Sequence, residues 1–542
     1  MLPGYALLLT LAVTAPLLAP GYLLLRDAVS TPRSYLTDAA LGLSEAAPRA
    51  LPQDFAVALA SQVLDGGVVV KALLVGGLWL GGWGAARLTA TVLPDAGAAG
   101  QFVATTITIW NPYVAERLLQ GHWSLLVGYG CLPWIAEAVL RLRAGSGRWP
   151  ALVFFLALAG LTPTGLMLAA TVALTCVAAP GDGTGRRAVA AVSLGVALLS
   201  AAPWLVAAAL SGSFSSTQAD GVGAFAARAE PGLGTLLTLA GLGGMWNGAA
   251  VPASRTGAFT VVATVVLLGV VAAGLPVLLR RRPAVPLLVL AAVAVVVPAL
   301  MATAPGLAAV EAVVRALPGL GVVRDAQKWV ALAVPAYALA GASAVVGLRR
   351  WLPTPAAAVC CALLVAVLPD LAWGVGGRMV AVHYPPGWAA AAAMINADPR
   401  PVAVLPPASM RSFGWAGDAP VLDPLPRWLR ADVLTTGDLT IGGRTIPGEG
   451  RRAREVESLV LGGAPADVLA RAGVGWVVVE SGAPELRLPV AFRDEDIAVY
   501  RVGGDHPAAA HRGVAIAAHL VWLATLAAGL AGLLLRRRVH GR

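Results

Sequence analysis

The feature that most constrains this chain is a succession of apolar runs, each about 20 residues long, that recurs along most of its length. A helical run of about 20 apolar residues matches the thickness of the hydrocarbon layer of a bilayer. Only 13% of the 542 residues are charged, whereas a soluble globular chain carries roughly 25%. The chain is therefore predicted to be a polytopic α-helical membrane protein.

The apolar runs give a map of about 11–13 spans. The clearest candidates are 5–25, 68–88, 121–140, 188–210, 257–279, 284–303, 329–348, 354–373 and 514–535. The run 98–113 ends at an Asn-Pro pair, and LTPTG at 161–165 divides 151–180 into a hairpin of two short spans. The Gly-rich segment 233–249 is predicted to be re-entrant or interfacial. The first apolar run lacks a basic n-region, so we interpret it as a span and not as a cleaved signal peptide.

The distribution of arginine indicates which side of the membrane each loop faces. Basic clusters occur at Arg141/Arg143/Arg148, Arg186/Arg187, Arg280/Arg281/Arg282, Arg349/Arg350 and Arg536/Arg537/Arg538. The map places an even number of spans between consecutive clusters, so all of them face one side, the cytoplasm by the positive-inside rule. The N-terminus is then cytoplasmic. The first outer loop is basic against this rule, through Arg26, Arg33 and Arg49, and these arginines need another explanation.

This topology divides the chain into three parts. Residues 1–374 form a transmembrane module, 375–512 a small extracytoplasmic α/β domain, and 513–542 the final transmembrane helix with a basic cytoplasmic tail. The outer loops of the module are 26–66, 111–120, 211–256 and 304–327. The α/β prediction depends on strand-like runs separated by Pro- and Gly-rich turns and some helical pattern. These runs are PVAVLP (401–406), GVGWVVVE (473–480) and DIAVYRV (496–502).

Polar residues of the module crowd the outer ends of the spans. Arg26 and Asp27 follow the first apolar run directly, and an acid fixed beside the lipid head groups suits a general base for a sugar hydroxyl. The alternative is an Arg-Asp pair that only marks the membrane interface. The other acids of this loop, Asp38, Glu45 and Asp54, are explained equally well as solvated or capping residues.

The stretch NPYVAERLLQGHW holds a second polar group. Burying an ionised side chain at mid-bilayer costs about 2.5–3.5 kcal/mol, so Glu116, Arg117 and His122 are not expected to face lipid. Pro112 ends the preceding helix and permits a short helix to restart. The result is a polar shelf at the outer mouth of the helix bundle. The structural alternative is a corner with a local ion pair and an aromatic belt.

The only two lysines of the chain, Lys71 and Lys328, lie on the same predicted side at similar depth. Lys328 belongs to the stretch PGLGVVRDAQKW, together with Arg324, Asp325 and Gln327. Basic groups at this depth can hold a lipid-linked phosphate, arginine in a bidentate manner and lysine as a compact charge. The alternative is that their long stems only reach the interface.

Several kinds of function are disfavoured. The net charge of +10 lies largely in short runs beside the spans, and no nucleic-acid module is present, so no nucleic-acid partner is expected. The four cysteines lie in apolar stretches without zinc or CxxC spacing. The sequence has no Walker loop, GxSxG elbow or HExxH, and its six histidines make no metal pair. The motif GGLWLGG (76–82) permits close helix packing.

Acids after the first span, a basic outer pocket and an exported C-terminal domain together resemble the GT-C class of membrane glycosyltransferases, which use polyprenyl-phosphate sugars. The motifs RDAVSTP, PRALPQD, NPYVAERLLQGHW and RDAQKW are similar to actinobacterial members, akin to the arabinofuranosyl- and mannosyltransferases of cell-wall assembly. The similarity extends over most of the chain. Its motifs are moderately specific for the class and weak for the sugar.

The resemblance implies an inverting transfer of sugar from a polyprenyl-phosphate donor to a glycan or glycolipid acceptor at the outer face of the plasma membrane. Asp27 is the best match to the catalytic acid, with Asp38 and Asp54 as fallbacks because Asp27 lacks an adjacent acid. The residues expected to bind the donor phosphate are Arg324, Lys328, Arg117, Lys71 and Arg26. The residues expected to orient sugar or acceptor are Glu116, His122, Asn111 and Gln327. No cofactor is identified, and dependence on a divalent cation stays open.

Two other functions remain compatible with the residues. A transporter or flippase of lipid-linked sugars would use the same spans and the same basic mouth. Transporters usually place ionisable residues near mid-membrane at inverted repeats, whereas here the charges crowd one outer face. A scaffold for envelope assembly that has lost catalytic activity is the third reading. Convergence of Asp27 and the basic residues in one cavity would favour the enzyme.

Overall fold

The computed structural model describes residues 1–45, 50–211, 221–349, 355–441, 444–480 and 485–535. The helices are α1 Leu2–Thr14, α2 Asp38–Leu41, α3 Gln53–Ala60, α4 Gly66–Val92, α5 Gly97–Ile109, α6 Pro112–Gln120, α7 Trp123–Arg143, α8 Trp149–Ala159, α9 Pro163–Cys176, α10 Arg186–Ser211, α11 Gly234–Ala240, α12 Phe259–Leu278, α13 Val285–Met301, α14 Ala304–Ala316, α15 Val334–Leu348, α16 Ala356–Ala366, α17 Ala372–Gly377, α18 Pro386–Ala397, α19 Leu425–Trp428, α20 Arg451–Leu461, α21 Ala466–Arg471 and α22 Arg512–Leu535. The tail cluster Arg536/Arg537/Arg538, Arg350 and Arg49 lie outside the described residues.

Seven helices in the described ranges are long and apolar enough to cross a membrane, or up to eight if the pair Ala356–Ala366 and Pro369–Gly377, bent by 73°, is one span. The predicted helical membrane fold with an α/β domain is confirmed. The map of 11–13 spans also counted shorter apolar helices such as α1, α8 and α9. As predicted, 151–180 is divided into α8 and α9. The segment 233–249 contains only the seven-residue helix α11, too short to span.

Close packing of glycines sets the centre of the bundle. A Cβ on Gly130 of α7 would lie 2.0 Å from the carbonyl oxygen of Gly77 in α4. The GGLWLGG motif therefore lets these two helices touch backbone to backbone, as small residues do in membrane proteins. Of the apolar stretch of α7, 94% is buried, against 28% of that of α22. Helix α7 is thus central and α22 peripheral.

The first apolar run is predicted to span the membrane over 5–25, but the structure shows a shorter helix there. Helix α1 ends at Thr14, a 3-10 turn follows at Ala15–Leu18, and Tyr22–Leu25 forms strand β1. Pro16 and Pro20 remove backbone donors and interrupt the helix, so the last apolar residues pair as a strand instead. Strand β1 pairs with β2 (Ala28–Val29) and with β3 (Ala381–Val382), both antiparallel.

The segment after residue 380 forms a sheet with helices on both faces. The remaining strands are β4 Val402–Leu405, β5 Met410–Arg411, β6 Val421–Leu422, β7 Val433–Leu434, β8 Leu439–Ile441, β9 Arg444–Ile446, β10 Trp476–Glu480, β11 Val490–Arg493 and β12 Ile497–Arg501. The main sheet has the order β11-β12-β10-β4-β7, with β4, β7 and β10 parallel. Alternate residues of β4 and β10 pack against α18 on one face and against α20 and α21 on the other. The three predicted strand-like runs are the neighbours β4, β10 and β12.

This domain is joined to the first outer loop by backbone pairing. Arg26 N donates to Pro420 O at 3.0 Å, and Leu422 N donates to Arg26 O at 2.9 Å. Tyr384 OH donates to Ser30 O at 2.9 Å. The hairpin that carries Asp27 is therefore fixed between the helix bundle and the α/β domain. The exact boundaries 374/375 and 512/513 stay a prediction.

Candidate active site

A tight hairpin holds Asp27 against the end of the helix bundle where α6 meets α7. Strands β1 and β2 pair Leu25 with Ala28, which leaves Arg26 and Asp27 as a two-residue turn with Arg26 at φ +50°. The turn rests on Gly121, where a Cβ would lie 2.3 Å from both Leu25 O and Ala28 N. Only glycine permits this close approach, and it brings Asp27 N within 3.2 Å of Gln120 O.

The predicted helix break at Asn111–Pro112 positions the opposite wall. Asn111 caps α6 by accepting from Val114 N at 3.0 Å, and Pro112 takes the first helical position, where no backbone donor is needed. The Asn111 amide donates to Ile107 O and Thr108 O. Asn111 is thus occupied in ending α5 and starting α6, which does not favour its predicted role in orienting a sugar.

The Asp27 carboxylate is held through one of its two oxygens. Oδ2 accepts from Gln120 Nε2 at 2.9 Å and lies 3.0 Å from His122 Nε2, while Oδ1 has no bond within the described residues. Burial raises the pKa of Asp27, but the hydrogen bonds from His122 and Gln120 outweigh it and hold the pKa below its ordinary value. With 36% of its side chain exposed, Asp27 presents an ionised, oriented oxygen to an incoming group.

Arg117 sets the tautomer of His122. Arg117 Nη1 lies 3.0 Å from His122 Nδ1, and a guanidinium can only donate, so Nδ1 accepts and the ring proton is on Nε2. That proton points to Asp27. Burial lowers the pKa of His122 more than Asp27 raises it, so the ring stays neutral. His122 therefore acts on Asp27 as a neutral donor of fixed orientation.

Arg117 is in turn held by acids and amides, and it is fully buried. Its guanidinium donates to both oxygens of Asp325, at 3.1 and 3.3 Å, and to Gln327 Oε1. The pair with Arg117 keeps the pKa of Asp325 well below its usual range in spite of burial. Since its side chain is 0% exposed, Arg117 is not placed to meet a donor phosphate, and the geometry favours a positioning role.

Glu116 and Gln327 extend the network into the segment 241–249. Glu116 accepts from Gln327 Nε2 at 3.0 Å, from Gly244 N at 3.3 Å and from Met245 N at 3.2 Å. Burial, followed by the charge of Glu230, raises the pKa of Glu116 to about 8. Glu116 and Gln327 are both buried, so they tie a loop to the site and do not themselves face a sugar.

The cationic side chains predicted to bind phosphate are not gathered in one place. Lys328 Nζ lies 3.4 Å from Asp325 Oδ2, with 22% of its side chain exposed beside the network. Arg324 lies over the Phe225 ring, 4.3 Å from its centroid. Arg26 donates to Leu119 O and Ala249 O, and Lys71 to Ala19 O at 2.8 Å. Of the predicted cations, Arg117 and Lys328 share Asp325, and Arg117 connects this pair to His122 and so to Asp27.

The two fallback acids have partners elsewhere. Asp38 accepts from Ala509 N at 2.8 Å and pairs with Arg512, next to the start of α22. Asp54 pairs with Arg427 of the α/β domain at 3.1 Å. Both therefore brace the α/β domain, and neither has a described bond to the Asp27 network. No group of three or more His, Cys, Asp or Glu suited to a metal ion occurs in the described ranges.

No family model matches the chain, and no curated protein matches its sequence. A structural match is found with a cryo-EM structure of a mutant of arabinofuranosyltransferase AftD from mycobacteria. The TM-score is 0.55 at 18% sequence identity, over 93% of this chain. The chain shares its fold with this structure over that range. It spans 41% of the length of the AftD chain.

The fold that the sequence resemblance implied is thus shared with a solved arabinofuranosyltransferase structure. Three members of the network, Gln120, Asn247 and Asp325, are not among the predicted site residues. Gln120 was visible as a neighbour of Glu116 on one helix face at i, i+4. Asn247, whose amide donates to Gln120 Oε1 at 2.8 Å, gave no signal, because it lies in an irregular Gly-rich segment. Asp325 was noticed only within a basic stretch, yet it anchors Arg117.

The role of His122 predicts a change in pH dependence. In His122→Phe the hydrogen bond to Asp27 is lost while burial remains, so the pKa of Asp27 should rise. Activity that needs the ionised carboxylate is lost as pH falls through that pKa, so the acid limb of kcat/KM should move to higher pH. The matched control is His519→Phe, at a buried histidine of α22 whose ring lies 4.6 Å from that of Phe55, centroid to centroid. An unshifted acid limb in His122→Phe would contradict this role.

Proposed function

We propose that this protein is a membrane glycosyltransferase that moves a sugar from a polyprenyl-phosphate donor to a cell-envelope glycan or glycolipid on the extracytoplasmic face. The observation that carries the proposal is the Asp27 carboxylate, with Oδ2 fixed by Gln120 and His122 and Oδ1 available. The fold shared with an arabinofuranosyltransferase supports the same class of reaction.

The geometry supports a single displacement. The acceptor hydroxyl gives its proton to Asp27 Oδ1, its oxygen forms a bond to the anomeric carbon, and the bond from that carbon to the lipid phosphate oxygen breaks. Attack opposite the leaving phosphate inverts the anomeric centre. Lys328 offsets the charge that develops on the phosphate, a preorganised electrostatic contribution. His122, Gln120 and Arg117 keep the base oriented throughout.

The orientation of the chain is part of the proposal. His122 precedes α7, whereas Arg141 and Arg143 lie in its last turn, so Asp27 and this basic cluster mark opposite ends of the same helix. The positive-inside rule then places the cluster in the cytoplasm and Asp27 outside. Lipid-linked donor, glycan acceptor and the α/β domain would meet on the outer face of the plasma membrane.

Sugar transfer by the purified protein in nanodiscs tests the proposal. Labelled polyprenyl-phosphate arabinose and polyprenyl-phosphate mannose are offered separately, with a glycan acceptor. Transfer from either donor supports the enzyme and identifies its sugar. Movement of donor across the bilayer without transfer would instead favour a flippase, and donor binding with neither activity would favour a scaffold.

Lys328→Met should raise the KM for the donor by roughly tenfold, since one charge-assisted contact to phosphate contributes about 1.5 kcal/mol. The acceptor KM should stay near the wild-type value. Lys71→Met is the matched control, because it removes the other lysine of the chain, whose amine donates to Ala19 O away from Asp27. Equal effects of the two substitutions on the donor KM would argue against phosphate binding by Lys328.

A further inference from the structure

A cavity with charged residues in its wall lies where the first outer loop, the α/β domain and the start of α22 meet. Its volume is about 280 Å³, near the lower end of the range for small-molecule sites. The walls come from the loop around Asp38, from Asp432 and β7 at the edge of the sheet, and from the linker that ends at Arg512. No residue of the Asp27 network lines this cavity, so it is a separate site.

The charges in the cavity wall are mixed and do not favour an anion. Four acids line it, Asp38, Glu45, Asp432 and Asp505, against three arginines, Arg430, Arg452 and Arg512. Asp38 pairs with Arg512, and Glu45 accepts from Arg452 N at 2.9 Å. Among the described residues, the acids here form no group suited to a metal ion. A neutral ligand with many hydroxyl groups fits donors and acceptors that alternate in this way.

One acceptor in this wall is unmatched. Oδ1 of Asp432 is buried and has no hydrogen-bond donor among the described residues. Burial and the nearby carboxylate of Asp38 raise the pKa of Asp432 to about 6. A buried acceptor without a partner is rare in folded proteins and is commonly explained by a bound water or ligand. A sugar hydroxyl would supply the missing donor.

We propose that this cavity binds a sugar unit of the acceptor glycan. The proposal rests on the proposed function, and it adds a site for the acceptor apart from the reacting hydroxyl. The donor's prenyl tail must stay in the bilayer, whereas the cavity lies between the first outer loop and the exported domain. Binding there would hold a growing chain while its end reaches Asp27.

The test measures binding and kinetics separately. Saturation-transfer NMR with the full chain in nanodiscs uses a short arabinofuranose oligosaccharide, the sugar type named by the structurally similar enzyme, with a manno-oligosaccharide alongside. Asp432→Asn should weaken binding and raise the acceptor KM roughly tenfold, with kcat and the donor KM unchanged. The exposed Arg430, varied to Gln, should weaken binding without affecting folding. Asp467→Asn, an exposed acid paired with Arg471 on α21, is the control.

The outcomes distinguish this inference from the proposed function. If the wild type transfers sugar and the acceptor KM is unchanged in Asp432→Asn and Arg430→Gln, the cavity does not bind the acceptor, and the proposed enzyme function stands. Oligosaccharide binding that depends on Asp432, in a protein that transfers no sugar, supports the cavity and overturns the enzyme. If the wild type binds neither oligosaccharide, the proposal that the cavity binds a sugar unit is wrong.

Discussion

Asp27→Asn is expected to reduce kcat for sugar transfer by about two to four orders of magnitude, the usual contribution of a general base. The amide keeps the shape of the carboxylate but cannot take the proton of the acceptor hydroxyl. Because Asp27 is 36% exposed and lies in a turn fixed by backbone pairing, the thermal stability of the protein should change little. Transfer rates with saturating donor measure kcat, and melting curves in the same detergent measure stability.

The control for this prediction is the pair of braced acids. Asp38→Asn and Asp54→Asn remove ion pairs with Arg512 and Arg427. Each should lower the melting temperature and leave kcat near the wild-type value. Transfer that survives in Asp27→Asn and disappears in one of these variants would move the base to that residue.

Arg117→Met is expected to destabilise the protein by about 3–5 kcal/mol, the range for removing one partner of a buried ion pair. The substitution removes both guanidinium hydrogen bonds from Asp325, which is only 5% exposed and keeps Lys328 alone as a cationic partner, and it leaves Gln327 without its donor. Thermal or denaturant unfolding in nanodiscs measures the loss. A conservative Arg117→Lys should also be unstable, since an ammonium has only three donors and cannot reproduce the four guanidinium contacts with Asp325, Gln327 and His122, two of which form a bidentate pair with Asp325.

The double variant Arg117→Met/Asp325→Leu separates stability from catalysis. Replacing both members of a buried pair by apolar residues is often neutral, so stability should recover substantially. Transfer should not recover, because His122 Nδ1 has lost the donor that fixes its tautomer. If Arg117→Met were instead stable and affected only the donor KM, Arg117 would be a phosphate ligand and not a positioning residue.

Local patterns were sufficient for several parts of the fold. The Asn-Pro pair at 111–112 predicted a helix end and restart, and the structure has α5 end at Ile109 and α6 begin at Pro112. The turn at 161–165 predicted two short helices in the same way. These features depend on backbone donors that proline removes and on caps that neighbouring residues supply, so they can be read from a few adjacent positions.

The first apolar run could not be assigned so simply. Its residues are apolar throughout, and apolar composition does not distinguish a buried strand from a helix. Pairing of Tyr22 and Leu23 with residues 381–382, more than half the chain away, decided for a strand. The turn that follows this strand places the Arg26 guanidinium on the carbonyl oxygens of Leu119 and Ala249. Binding of the donor phosphate by Arg26 stays a prediction.

The sequence by itself determined that the chain is a helical membrane protein, and it predicted that the candidate functional residues lie at one outer face. Both follow from the free energy of placing apolar and charged side chains in lipid, which adds up residue by residue. Only the tertiary structure decided which of these residues act on one another. Arg117 and Asp325 are 208 positions apart, and Asp27 and His122 are 95 apart. Their hydrogen bonds depend on the approach of the hairpin to Gly121, a distance that no local pattern encodes.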